Sequence, residues 1–341
     1  MDRAPRPDTI TTDDVKDAVA AGVLPQQHAQ ALLAFVAQSR QSPTQPDEES
    51  FRFIRSFNDI FVTIAIALVL FALNSLLSEI SRPISMFAIA AASWAMAEYF
   101  TRRRRMAFPS IVLLGAFVVS VFFGTAVLLY ASADSLLEGT PAIVGAVAAV
   151  FAAAAHWLRF HVPITVAAGM AALVVLAMAM FGTDSTPSAV MLGLGLVTLA
   201  VAMVFDTSDR QRLTRKADIA FWLHMLAAPM IVHGLFAMLG ILAGNLSTAQ
   251  AGAVLAFYAA FGLLALIIDR RALLVSSLVY VLYAASTLIA SSGFQDYSAG
   301  ITALAIGIFL LLLSAGWSHL RAFAVRLMPR AVQDLVPPAA P

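Results

Sequence analysis

Two histidines and a proline stand out in the apolar segment 218–239. His224 lies five residues before Pro229 and His233 lies four residues after it, with Trp222 close by. Imidazole rings bind metal ions and carry protons. On a straight helix, however, nine residues place the two rings on opposite faces, roughly 13.5 Å apart along the axis. One metal ion cannot bind both rings, because its ligand distances are about 2 Å.

Pro229 is the feature of this segment that most favours a function. A proline in mid-helix removes a hydrogen bond and can kink the helix, which frees a carbonyl near Met225. Broken helices at mid-membrane often hold the substrates of transporters. The alternative is a tolerated kink with both histidines hydrogen-bonded inside a helix bundle. The candidate functional residues are therefore Trp222, His224, Pro229 and His233, and the sequence predicts no catalytic residue, metal or cofactor.

Composition places these residues in a membrane protein. Of 341 residues, 60% are hydrophobic and 12% are charged, and the mean hydropathy is +0.85. A helix needs roughly 20 mainly apolar residues to cross a bilayer, and within lipid it satisfies its own backbone groups. The sequence thus predicts an all-α fold, a polytopic transmembrane helical bundle. The absence of cysteine excludes disulfides and thiol nucleophiles, and a net charge of +1 gives no case for nucleic acid.

Ten apolar stretches predict about ten membrane spans. Prolines open five of them, which suits the first turn of a helix because no hydrogen bond is lost there. The predicted spans are Phe57–Leu77, Pro83–Phe100, Pro109–Tyr130, Pro141–Leu158, Pro163–Phe181, Pro187–Phe205, Asp218–Leu239, Ala249–Ile268, Ala272–Ala290 and Gly300–Trp317.

Basic residues in alternate connections orient these spans. One side of the predicted bundle receives 14 of them, whereas the opposite side receives Arg82 alone. Short connections rich in Lys and Arg stay in the cytoplasm, so both termini are predicted to be cytoplasmic. The 14 residues are Arg102–Arg105, Arg159, Arg210, Arg212, Arg215, Lys216, Arg270, Arg271, Arg321, Arg326 and Arg330.

Acidic residues lie at the predicted span ends rather than in the middle. Glu98 and Asp206 each precede an arginine by four residues, Arg102 and Arg210 respectively, and we expect ordinary pairs that anchor the helices at the interface. Asp269 is interpreted in the same way. No Asp or Glu falls in the middle of a predicted span, where ion-driven carriers often place one. The sequence has no phosphate-binding loop motif, so we expect no ATP-hydrolysing domain in this chain.

Residues 1–50 are polar and acidic and predict a cytoplasmic unit outside the membrane. Thr12-Asp13-Asp14 suits a helix start, Gly22 suits a helix end, and Pro25 suits the first turn of a second helix that reaches about residue 39. The result is a small helical hairpin, followed over residues 41–50 by a flexible acidic linker. Residues 51–320 then form the transmembrane domain, and residues 321–341 predict a cytoplasmic tail.

The order of spans and basic turns indicates an internal repeat. Asp59 opens the first span and Asp218 opens the seventh, and similar basic connections follow in each half. Residues 57–158 then correspond to residues 218–320, in parallel orientation, around the hairpin 163–205. Repeats of this general kind occur in transporters. The alternative is that the two halves look alike by chance, because any two helices joined by a basic turn give the same sequence pattern.

Three segments carry a resemblance to a group of bacterial multi-span membrane proteins of unknown function. They are Asp14-Val15-x6-Gly22-Val23-Leu24-Pro25-x-Gln27, Phe57-Asn58-Asp59-Ile60-Phe61-Val62 and Asp218-Ile219-Ala220-Phe221-Trp222-Leu223-His224. The resemblance covers most of the chain by layout, a helical hairpin followed by about ten spans. It implies the bacterial inner membrane as location, and it carries over no activity and no catalytic residue.

Three classes of function stay open on this sequence. Ten spans, the predicted repeat and the broken seventh span favour a small-molecule permease or exporter. The missing mid-span carboxylate favours a non-catalytic membrane component that binds a cytoplasmic protein, or a second copy of itself, through residues 1–50. An intramembrane enzyme using His224 or His233 lacks a nucleophile and a ligand set, so we expect no enzymatic activity. In each case the lipid bilayer is a partner and nucleic acid is not.

Overall fold

The chain is helical wherever its structure is described. The computed structural model describes residues 12–41, 57–130, 136–181, 187–212, 214–243 and 246–338. No β-strand occurs in these ranges, which confirms the all-α prediction for them. The chain forms two compact units, Met1–Glu49 and Ser50–Pro341.

The first unit contains two helices joined by a glycine turn. Helix α1 spans Thr12–Ala20 and helix α2 spans Gln26–Gln41. Gly22 adopts a φ of +69°, in the left-handed region that favours glycine, and so ends the first helix. Val15 of α1 and Ala29 of α2 are buried. The predicted linker after these helices lies, apart from Gln41, outside the described residues.

Twelve further α-helices follow in the described part of the second unit. They are α3 (Phe57–Ser78), α4 (Arg82–Ala97), α5 (Ala107–Leu129), α6 (Gly139–Phe160), α7 (Ile164–Phe181), α8 (Pro187–Thr207), α9 (Arg215–Met238), α10 (Thr248–Ile268), α11 (Ala272–Ser291), α12 (Ser298–Ala315), α13 (Trp317–Arg326) and α14 (Arg330–Gln333). A six-residue π-helix, Glu98–Arg103, continues α4, and short 3-10 turns precede α10 and α12.

Eight helical segments in the described residues are long and apolar enough to cross a membrane. These are α3, α5, α6, α7, α8, α9, α10 and the segment Gln295–Ala315 that contains α12. Two of the ten predicted spans fall outside this set. They are α4, which has 16 residues, and α11, which contributes a shorter apolar stretch, Ser277–Ser291. Length and composition therefore support a multi-pass membrane protein.

Helix α9 is the central helix of the second unit. Of its most apolar window, 67% is buried inside the protein, against 6% for Gln295–Ala315. It packs tightly on α8, because glycines let the two backbones approach. A Cβ added at Gly195 of α8 would lie 2.9 Å from the backbone nitrogen of Ile231, and one added at Gly234 of α9 would lie 2.7 Å from that of Leu192. Side chains on α9 are thus positioned by direct backbone packing.

The C-terminal part of the chain packs on the bundle. The predicted tenth span runs to Trp317, whereas α12 ends at Ala315 and Trp317 begins α13. Gly316 separates the two helices, in keeping with its weak helix propensity. The predicted boundary at residue 320 falls inside α13, and beyond it Val336 is buried with only 2% of its surface exposed. The segment after α12 is therefore continuous with the bundle.

Candidate functional site: a buried charged cluster

The structure separates the four residues that the sequence singled out. α9 continues as an α-helix through Pro229, and the proline ring is exposed on its outer side. His233 is also exposed, and its Nδ1 lies 3.0 Å from the hydroxyl of Tyr280 on α11. Trp222 is half-buried. His224, by contrast, is fully buried, so it alone of the four belongs to an interior polar site.

His224 contacts a buried ion pair formed between helix ends. Its Nε2 lies 2.7 Å from Oδ2 of Asp206, near the end of α8. Arg270, in the turn between α10 and α11, donates from Nε to the same oxygen at 3.2 Å and from Nη2 to the other carboxylate oxygen. It also donates to the carbonyl oxygen of Ala217 in α9, at 3.2 Å. One guanidinium thus connects α8, α9 and the α10–α11 turn.

Asp269 forms the second centre of this site. Its carboxylate accepts a hydrogen bond from Nε1 of Trp317 at 2.9 Å, and it pairs with Arg212 at 2.9 Å and with Arg321 at 3.5 Å. Asp269 has a φ of 57°, a left-handed conformation that Asp tolerates better than most residues. That turn ends α10 and places the next residue, Arg270, toward Asp206. We call Asp206, Arg212, His224, Asp269, Arg270, Trp317 and Arg321 the charged cluster.

Backbone carbonyl groups of the C-terminal segment accept hydrogen bonds from arginines in and beside the charged cluster. Arg321, of which 1% is exposed, donates to the carbonyl oxygens of Pro337 at 2.6 Å and Pro338 at 3.1 Å. Arg210 donates to those of Val336 at 3.0 Å and Gln333 at 3.1 Å. Arg321 of the charged cluster and Arg210 beside it therefore hold residues 333–338 against α13 and the end of α8.

The electrostatics of the charged cluster explain why its members stay together. Three guanidinium groups face two carboxylates, and the partial negative charges at the C-terminal ends of α8 and α10 offset part of the excess. Arg212 donates to the carbonyl of Asp269 at 2.7 Å, at the end of α10. Removing a charge from water costs several kcal/mol, which only close pairing repays. Separation of these groups therefore requires that water reach them.

The expectation that Asp206 forms a surface pair with Arg210 is wrong. Asp206 is buried, with 2% of its surface exposed, and its partners are His224 and Arg270, whereas Arg210 binds the C-terminal segment. The sequence did carry a signal for this. Asp206 and Asp269 both lie at helix C-termini, where the helix dipole disfavours an acid. An acid at such a position requires a strong partner from elsewhere in the chain.

Glu98 shows what an exposed pair looks like in the same protein. It contacts Arg102 at 3.3 Å, as expected, and also Arg159 at the end of α6, at 2.6 Å. A second hydrogen bond from Arg159, from Nη2 to the other carboxylate oxygen at 2.9 Å, makes that contact bidentate. Because this pair is accessible to solvent, it contributes little to stability.

His156 of α6 is a second buried histidine in a different environment. Its Nδ1 lies 3.1 Å from the hydroxyl of Thr165, and its ring packs among Trp94, Phe117 and Phe160. These aromatic rings pack around the imidazole without a carboxylate, so His156 is a packing residue. It therefore serves as a comparison for His224.

The chemistry available at the charged cluster is that of holding charges and a proton. Among the described residues, no group of three or more His, Cys, Asp or Glu side chains is arranged to hold a metal ion. No family model, curated protein or solved structure matches this chain. The charged cluster is the strongest candidate functional site, because its ionisable side chains are buried and pair across several helices.

Proposed function

We propose that the chain is a multi-span permease or exporter for small molecules, closed at its cytoplasmic end by the charged cluster. The observation that carries this proposal is the buried contact of Asp206, His224 and Arg270. Ionisable residues buried in apolar helices are costly, and they commonly mark the path of an ion or solute. Here His224 lies on α9, the most buried of the candidate spans, Asp206 lies at the end of the adjacent α8, and Arg270 lies in the α10–α11 turn.

The arrangement of the cluster supports a closure that opens and closes as a unit. Its side chains come from α8 and the connection after it, from α9, from the α10–α11 turn and from α13, which are held together at one end. A guanidinium and a carboxylate on two rigid elements have two discrete arrangements. They pair with each other, or each is solvated by water. Separation of these ends would expose a polar opening, while the apolar middle of each helix continues to pack.

The proposal includes ten spans in the bacterial inner membrane with both termini in the cytoplasm. Eight spans follow from length and hydropathy. α4 becomes long enough through the π-helix Glu98–Arg103 that continues it, and α11 has 20 residues in all. The basic connections then fall on one side. The bacterial location rests on the resemblance of three segments to multi-span membrane proteins of bacteria.

Reporter fusions test this topology. Alkaline phosphatase fused after residues 134, 184 and 296 should be active, because these connections face away from the cytoplasm. Fusions after residues 104, 213 and 325 should be silent. Phosphatase activity in any of the second set, in fusions expressed at equal level, would contradict the ten-span arrangement.

Solute entry into vesicles tests the proposed activity across many candidate substrates at once. Proteoliposomes placed in a hyperosmotic solute shrink and then re-swell at the rate at which that solute enters. A panel of amino acids, sugars, polyols and organic acids is measured by stopped-flow light scattering, beside protein-free vesicles of the same lipid. We expect faster re-swelling for at least one class. Equal rates across the panel would contradict a permease.

A membrane component that binds a protein partner is the second candidate, and the first unit favours it. α1 and α2 form a unit of their own, and Val23 and Leu32 are 78% and 42% exposed on it. Exposed apolar side chains on a small polar unit suit a protein contact. Under this proposal the bundle would serve as the anchor for residues 1–50.

Deletion of residues 1–49 separates the two candidates. Membrane insertion should remain intact, because the first span and its flanking arginines are kept. For a permease, solute entry should stay within about twofold of the full-length rate, a difference of less than about 0.5 kcal/mol. Loss of insertion would show that the first unit is part of the transmembrane fold. Complete loss of solute entry with intact insertion would favour the partner-binding proposal.

A further inference from the structure

We propose that His224 is a proton-binding site, and that a proton on its Nδ1 releases Arg270 from Asp206 and opens the charged cluster. This inference rests on the proposed function, because it describes a permease whose closure responds to protons. Its geometry stands on the contacts of three side chains, and its test needs no transported solute.

The hydrogen bonds around His224 fix which nitrogen can take the proton. Arg270 holds both oxygens of Asp206, so the carboxylate is ionised and accepts from the imidazole. Nε2, at 2.7 Å from Asp206, must then be the protonated nitrogen of the neutral ring. Nδ1 is left with a free lone pair. It is buried and has no hydrogen-bond partner among the described residues, so it is the open proton acceptor of the site.

A proton on Nδ1 is disfavoured in the closed arrangement for two reasons, although the carboxylate of Asp206 offsets part of the cost. The new N–H would be a buried donor without an acceptor, which is costly. The imidazolium would also share the single carboxylate of Asp206 with the guanidinium of Arg270, and like charges would face each other in a medium that screens them poorly. Movement of the α10–α11 turn would remove both unfavourable effects. It would take Arg270 away from the imidazolium, and it would let water accept the hydrogen bond from Nδ1.

In the described residues, the charged groups that act on the ring from other elements are Asp206, Arg212 and Arg270. α8 contributes Asp206, the connection after it contributes Arg212, which acts on the ring electrostatically, and the α10–α11 turn contributes Arg270. α7 carries no ionisable side chain. α11 contributes Tyr280, which contacts His233 instead. Imidazole is the side chain that ordinarily titrates near neutral pH, so His224 is the group suited to respond.

The proton balance of the step is simple. Opening takes one proton from water onto Nδ1, forming one N–H bond, and breaks the hydrogen bonds between Arg270 and Asp206. Closing returns that proton to water and restores the pair. The closed form therefore holds one proton fewer than the open form, so acid favours opening.

An introduced cysteine can report this opening, because the chain has none of its own. Ala217 is buried, and Arg270 donates to its carbonyl oxygen, so we expect Ala217→Cys to react with a soluble thiol reagent only when the turn moves. Ser208→Cys, at an exposed position, provides the reference rate at each pH. The ratio of the two rates cancels the common loss of thiolate in acid.

The expected result is a rise of roughly tenfold in this ratio between about pH 7.5 and 5.5, the range over which a free imidazole titrates. His224→Gln should abolish the rise, because the amide keeps a donor for Asp206 and cannot be protonated. His156→Asn, which keeps a polar group for Thr165, should leave the rise unchanged. If Ala217→Cys does not fold, Ser277→Cys, a buried and nearly isosteric change in α11, replaces it.

A ratio that stays flat in the protein with native His224 would overturn the proposal. So would a rise that persists in His224→Gln or disappears in His156→Asn. The two proposals fail separately. Absence of solute entry into vesicles contradicts the permease and leaves this reporter unaffected, whereas a flat reporter contradicts the proton site and leaves solute entry unaffected.

Discussion

Asp206→Asn should destabilise the folded protein by about 3–5 kcal/mol, the usual cost of breaking a buried ion pair from one side. The substitution leaves the guanidinium of Arg270 buried without its carboxylate, while the shape of the side chain is kept. The loss should appear as a lower free energy of unfolding when the purified variant and the wild-type protein are titrated with denaturant in the same detergent.

Two variants control this prediction. Adding Arg270→Met to Asp206→Asn removes the uncompensated charge and should recover most of the loss, since apolar replacement of a whole buried pair is often close to neutral. Glu98→Gln, which breaks an exposed pair, should change stability little. Native-like stability of Asp206→Asn alone would show that the pair is accessible to water and that the cluster is not a buried site.

Gly234→Ala should have the second-largest effect, a loss of about 1–3 kcal/mol or more from overpacking. The added methyl would lie 2.7 Å from the backbone nitrogen of Leu192 and 2.9 Å from the carbonyl oxygen of Ser188. Backbone cannot rotate away as a side chain can, so α8 and α9 must separate. The same denaturant titration measures the loss.

The matched control is on the facing helix. In the described part of the chain, no atom from outside the local helix backbone lies within 4 Å of a Cβ built on Gly193. Gly193→Ala should therefore be neutral or slightly stabilising through its better helix propensity, by up to about 1 kcal/mol. Gly195→Ala should behave like Gly234→Ala, since its added methyl meets the backbone of Ile231. Equal effects at positions 193 and 195 would show that α8 and α9 do not pack in this way.

Those parts of the fold that depend on local sequence could be predicted. The helices follow continuous apolar runs of span length, and their limits agree with proline starts such as Pro187 and with glycine ends such as Gly22. These signals lie within a few residues of the feature they specify. The break at Gly316 was missed because a single glycine is tolerated in many helices.

The partners in the charged cluster could not be predicted in the same way. Asp206 and Arg270 are 64 residues apart, and Trp317 and Asp269 are 48 apart. Many basic residues lie on the same predicted side, so the sequence offers several equivalent partners for each acid. His224 was identified from its place in an apolar span, but the ring's exposure depends on which helices pack around α9.

A correspondence between the two halves of the second unit supports the predicted repeat, which stays a prediction. Glu98 follows α4 and pairs with Arg159 at the end of α6. Asp269 follows α10 and pairs with Arg321, which lies beyond α12. In each half, an acid after the second helix meets an arginine, which lies at the end of the fourth helix in the first half and beyond the fourth helix, in α13, in the second half. The first pair is exposed and the second is buried, so the two contacts differ in their environment.

Solute entry through the double variant Asp206→Asn, Arg270→Met tests the central claim most directly, that the charged cluster closes a path through this protein. The variant should fold, and its vesicles should re-swell about tenfold faster than wild-type vesicles, the change that a loss of about 1.4 kcal/mol from the closed state gives. Gly193→Ala vesicles should match wild type. Folded double-variant protein whose vesicles re-swell at the wild-type rate for every solute would contradict the account.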